Sequence, residues 1–100
     1  MATTSKVLAR TAAATSSATL YTVPASTTTI VTNIVVTNTA AAAATATITL
    51  DGVALISGVS LAANSVAFFD LKQTLATTKI IAGFASATTV NFHISGVEIV

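Results

Sequence analysis

Asp51-Gly52 stands between two short alternating runs, Thr47-Ile48-Thr49-Leu50 and Val53-Ala54-Leu55-Ile56. An Asp-Gly step accepts positive φ at both positions and matches the twist of two antiparallel strands as a type I′ turn. Such a turn sets Leu50 against Val53, Ile48 against Leu55 and Ala46 against Ser57 on one face. Thr49 with Ala54 and Thr47 with Ile56 share the other. A lone hairpin is marginal in water, so a chain that commits residues 45–56 to one must supply further strands.

Those strands are legible on both sides. Leu20 to Val23 is a short strand stopped by Pro24, in the turn Pro24-Ala25-Ser26. Thr29 to Thr39 is the longest candidate, with Ile30, Thr32, Ile34 and Val36 at even positions and Val31, Asn33, Val35 and Thr37 at odd ones. Both faces are half apolar, which suits a strand whose outer face is also partly covered. Ala40 to Ala44 is too short to nucleate a helix and reads as a loop or wide turn. Gly58 breaks the strand that follows the hairpin. Ser65 to Leu71 is the next, with Val66, Phe68 and Asp70 on one face and Ala67, Phe69 and Leu71 on the other. Lys72 to Thr78 reads as a single helical turn bringing Leu71 and Leu75 together. Lys79 to Phe84 and Thr89 to Val100 complete the set. In the last, Val90, Phe92 and Ile94 point inward until Gly96, after which Val97 and Ile99 become the apolar set. A glycine at a parity change predicts a β-bulge. The expectation is all-β: a single β-sandwich, Greek-key or jelly-roll, of seven to eight short antiparallel strands over residues 20–100.

Residues 1–19 differ in character. Val7 and Leu8 are the anchors available there, and Thr11, Thr15, Ser16, Ser17 and Thr19 weaken a helix by β-branching and local hydrogen bonding. The segment reads as an extended low-complexity N-terminal arm that orders against another molecule, with a disordered tail as the alternative.

Composition narrows the function. Of 100 residues, 21 are Ala, 20 Thr and nine Ser, while 7% are charged. An average soluble protein carries roughly 25% charged residues, so this chain has little to offer a charged partner. A net charge of +1 leaves no electrostatic footprint for nucleic acid or an anionic membrane. The chain lacks cysteine, which removes disulfides, thiol nucleophiles and thiolate metal sites. No apolar run has signal-peptide or membrane-span length, so a soluble protein with no export address is expected.

Few groups could perform chemistry. Asp51 is a turn residue, and Asp70 closes a strand where it could cap the following turn. Glu98 lies five residues from His93, a pair with no third partner in the sequence, and an exposed strand histidine is the simpler reading. One His and three scattered carboxylates do not make a metal site, and phosphate-binding and nucleophile-elbow motifs are missing. A non-enzyme without cofactors is expected. Thr45, Thr47 and Thr49 form a row such as ice-binding β-proteins use, and ordinary solvent-facing threonine explains it equally well.

The stretch Leu20-Tyr21-Thr22-Val23-Pro24-Ala25-Ser26-Thr27-Thr28, running through Ile30 to Thr39, resembles small virion proteins of tailed bacteriophages. In those the chain commonly reads Leu-Tyr-Thr-Val-Pro-Ala-Gly-Thr-Thr before a Val/Ile-rich strand ending in Asn-Thr, so Ser26 replaces the more usual glycine. The ending His93-Ile94-Ser95-Gly96-Val97-Glu98-Ile99 also resembles theirs, and the likeness covers residues 20–100. The resemblance implies a capsid decoration, or cement, protein on the virion exterior. It would bind the major capsid protein as a homotrimer and reinforce the shell, without touching nucleic acid or membrane. The arm would then reach across the capsid through Lys6, Val7, Leu8 and Arg10. The alternative is a head-fibre, tail or baseplate β-sandwich module that attaches to a receptor or carbohydrate. Aromatics displayed in a groove would favour that module. Tyr21, Phe68, Phe69, Phe84 and Phe92 are few and mostly patterned inward.

Overall fold

A computed structural model describes residues 2–100. Eight strands follow one another: β1 (Thr3–Ala12), β2 (Ala18–Thr22), β3 (Thr28–Asn38), β4 (Ala44–Leu50), β5 (Val53–Leu61), β6 (Ser65–Leu75), β7 (Ile80–Ala85) and β8 (Val90–Ile99). They form two four-stranded antiparallel sheets, ordered β1-β8-β3-β6 and β2-β7-β4-β5, packed as a sandwich. The pairs β4–β5, β3–β6, β2–β7 and β1–β8 are those of one long hairpin folded over, with alternate pairs in alternate sheets. That connectivity is a jelly roll. Its tip is the Asp51-Gly52 turn, where the two residues take φ of 54° and 75°. A type I′ turn requires positive φ at both.

The core lies between the sheets. Phe92, Ile34, Ile94, Val36 and Val90 come from the first sheet, and Ile48, Ile81 and Leu61 from the second, all fully buried. Asn38 is buried among them and every polar atom of its side chain is engaged. Its amide nitrogen donates to the carbonyls of Ala42 (2.9 Å), Ala62 (3.2 Å) and Leu61 (3.4 Å). Its oxygen accepts from the Ala40 amide at 3.1 Å and the Thr89 hydroxyl at 3.5 Å. One side chain thus ties together three connections at one end of the sandwich.

Residues 1–19 are extended where described, as expected, but they do not stand apart from the sandwich. β1 pairs with β8 from Thr3↔Ile99 to Ala12↔Asn91 and forms the edge of the first sheet, and β2 already begins at Ala18. The boundary at residue 19 therefore falls inside a strand. The physical reason is that β1 is held by backbone pairing and a few small inward contacts, with Leu8, Ala9 and the following Ala13 buried, which leave little hydrophobic pattern.

The single helical turn expected over Lys72–Thr78 is strand as far as Leu75, and no helix occurs among the described residues. Nor does Gly58 break its strand. It takes positive φ (58°) inside β5 and donates its amide to the Thr47 hydroxyl at 3.0 Å. The hairpin register holds at Leu50↔Val53 and Thr49↔Ala54, then shifts so that Ile48 meets Ile56 and Ala46 meets Val59.

A bulge does sit near Gly96, on its neighbours rather than on its own strand. Leu8 in β1 and Thr32 in β3 are the extra residues opposite β8, and β6 spends Leu71 and Lys72 opposite the same Thr32. Parity therefore flips in β3, where the buried set passes from Thr29 and Val31 to Ile34, Val36 and Asn38. This explains why both faces of the Thr29–Thr39 stretch look half apolar. β8 keeps its phase through Gly96, which leaves Glu98 on the inward side. A β-carbon on Gly96 would collide with the Ile30 carbonyl and come within 2.8 Å of Leu8 Cδ1, so the bulged neighbours occupy the room a side chain would need.

Candidate functional site

The four residues expected to meet a capsid lie on β1. Leu8 is only 7% exposed and belongs to the core, which withholds it from any partner. Lys6 reaches Glu98, with Nζ 3.3 Å from the carboxylate, and its side chain stays partly open to solvent. Val7 and Arg10 are exposed. β1 has a paired edge toward β8 and a free edge on its other side.

Behind Lys6 lies a polar cluster that joins the two sheets. The Tyr21 hydroxyl, from β2, donates to Glu98 in β8 and lies 2.8 Å from the Thr29 hydroxyl in β3. The Tyr21 bond, followed by that of Lys6, holds the Glu98 carboxyl below its ordinary range against the opposing effect of burial. Burial first, then the Glu98 contact, raises the Tyr21 phenol above its own. A neutral phenol and an ionised carboxylate are the stable combination. The cluster holds a charge in place where the two sheets meet.

The opposite long side is different. β5 and β6 are consecutive edge strands of different sheets, linked through Ala62-Ala63-Asn64, with Asn64 at positive φ (51°) and its amide bonded to the Ala40 carbonyl. Between them runs an open groove of about 610 Å³, lined by Leu55, Ile56, Val59, Phe68, Phe69 and Leu71 among others. Phe68 and Val53 are each 70% exposed, and Leu55 and Val66 are exposed beside them. The alternation that sets Phe68 and Phe69 on opposite faces holds, and the inner face is that of Ala67, Phe69 and Leu71, which pack against the core while Phe68 faces out. The sequence carries a signal for this. Val66-Ala67-Phe68-Phe69 is apolar at both parities, which an edge strand with one wet face does not need.

His93 and Glu98 lie on opposite faces of β8, so the pair weighed in the sequence does not form. No cluster of three metal-ligating side chains exists among the described residues. Thr45, Thr47 and Thr49 share a face of β4, but across from them stand Phe84 and Ala82 of β7 and Ser60 of β5, so no ladder repeats on neighbouring strands. Comparison of the chain with protein-family models, with curated proteins and with solved structures finds no match.

Proposed function

We propose that this chain is a structural virion protein, a decoration protein that binds the major capsid protein on the exterior of a tailed-phage head and stabilises it as a homotrimer. The observation that carries the reading is where the phage-like segments sit. Leu20–Thr39 and His93–Ile99 are more than fifty residues apart in sequence, yet β3 pairs with β8 along His93↔Val35 to Glu98↔Thr29. Tyr21 of one segment bonds Glu98 of the other. The resembling residues are thus one contiguous structural unit. Ser26 stands at φ 55°. That left-handed position suits the glycine usual in those proteins. The role is non-catalytic and needs no cofactor, nucleic acid or membrane. Capsid contact would fall to Val7, Arg10 and the free edge of β1, by area and strand addition.

The test is binding of the purified chain to emptied heads of the phage that carries its gene, with bound copies counted by densitometry and head survival measured on heating. Saturable binding with raised thermal survival is the expected result. Recovery of the chain only with tails or fibres would overturn the reading. The exposed Phe68 beside a groove favours the attachment module as the second reading, and such a result would move it to the front.

A further inference from the structure

A jelly roll of two open sheets has four edge strands, and each edge invites unwanted pairing unless something blunts it. Here three carry such devices along their length. β1 has Lys6, Arg10 and the bulge at Leu8. β2 is five residues long, bulged at Leu20 and followed by Pro24. β5 is shifted in register twice, around Leu55 and around Gly58. The second half of β6 carries Asp70, Lys72 and a bulge of one extra residue at Leu71-Lys72. The first half of β6, Ser65 to Phe69, carries neither charge, proline nor bulge, and it displays Val66 and Phe68.

From this asymmetry we infer that the side made by β5 and the first half of β6 is where copies of this chain join one another. It rests on the decoration reading only for the number of copies, three. The side is self-complementary in kind: it offers an apolar ridge, Val66 and Phe68, beside an apolar groove in which Asp70 is the one titratable lining residue. Its occupant is therefore apolar and uncharged, and the same side of a second copy has that chemistry. The ridge of one copy enters the groove of the next, a head-to-tail contact that closes into a ring. Size sets how firmly the copies hold. β5 has nine residues. At ~3.3 Å per residue such a strand runs about 30 Å. The two shorter extents of the molecule are 21 Å and 17 Å. The product is a side of roughly 500–600 Å² in projection, which the two contacts a copy makes in a ring share, so each contact falls below the ~800 Å² per partner of a standard interface and belongs to the small, dissociable class.

The test is solution mass by light scattering for wild type, Phe68→Glu and Val100→Lys, with each fold checked by circular dichroism. Val100 is also an exposed apolar residue but lies off this side. Wild type and Val100→Lys are expected near three times 9.9 kDa, and Phe68→Glu as a folded single chain. Hydrogen exchange on wild type alone covers the case in which Phe68→Glu misfolds: amides of Ser65–Phe69 should lose protection on dilution. A two-copy wild type dissolved by Phe68→Glu supports the interface and corrects the copy number. A monomeric wild type, or an oligomer indifferent to Phe68→Glu, overturns it, as does a monomer that loses carbohydrate adhesion in that variant. Head binding is scored separately. A chain that assembles but binds no head keeps this interface and loses the decoration role, and one that binds heads as a monomer does the reverse.

Discussion

Asn38 and Tyr21 are the two residues at which single atoms decide most. Replacing Asn38 by Ala leaves backbone carbonyls of two connections without their donor. Unsatisfied buried groups cost about 1–3 kcal/mol each, so Asn38→Ala is expected to lose roughly 2–3 kcal/mol in a urea titration. Asn38→Asp should be no better, because it removes the donor and aims a carboxylate at carbonyl oxygens. The Tyr21–Glu98 pair sets a pH window instead. Glu98 titrates lower folded than unfolded, so its contribution is present above the ordinary carboxyl value of 4.5 and fades as pH falls through the folded value. Tyr21 titrates higher folded than unfolded, so its contribution is present below 10.0 and fades as pH rises through the folded value. Tyr21→Phe should therefore be less stable than wild type near pH 7, with the gap narrowing in acid. A gap that stays constant down to pH 2 would show that the bond to Glu98 contributes nothing.

Among elements, β8 depends on its bulged neighbours. Gly96→Ala drives a methyl group into the Ile30 carbonyl, which belongs to backbone and cannot swing aside. Overpacking of this kind costs about 1–3 kcal/mol, and a lower midpoint of thermal unfolding is expected. Ser26→Gly works the other way, since Ser26 holds a left-handed φ of 55°. The change removes a strain of roughly 1 kcal/mol, partly offset by the greater freedom of glycine when unfolded, so the midpoint should hold or rise. Which elements can be read in advance follows from the same physics. The Asp51-Gly52 hairpin is legible because turn chemistry and alternation coincide within residues 45–56. β1 is not, since its partner β8 lies at the far end of the chain and a backbone ladder leaves no mark on side-chain pattern. The bulge at Thr32 shows only as blurred alternation, which partial covering of the outer face explains equally well until the register is seen. For Phe68 the pattern alone leaves the outcome open, because alternation tells which residues share a face but not which face meets the core.

For the whole molecule, the place of β1 changes what a truncation means. Deleting residues 2–12 would strip the edge from β8 and uncover the core beside Phe92 and Ile94, so loss of a cooperative melt is expected, where removal of a detached arm would leave the melt intact. Contact with a capsid is better probed by Arg10→Glu, which spares the core and should weaken head binding without moving the melting midpoint. The folded-hairpin connectivity also dictates a history. Its shortest closure is at Asp51-Gly52, and each further pair spans a longer stretch, ending with Thr3 against Ile99. Loop closure grows costlier with span, so pairing spreads outward from the tip, and the chain folds slowly for its size. β8 is laid between β1 and β3, and it is the last described strand to leave a ribosome. Until it arrives, the nascent chain holds β1 and β3 with nothing between them, and for that interval it depends on whatever keeps bare strands apart.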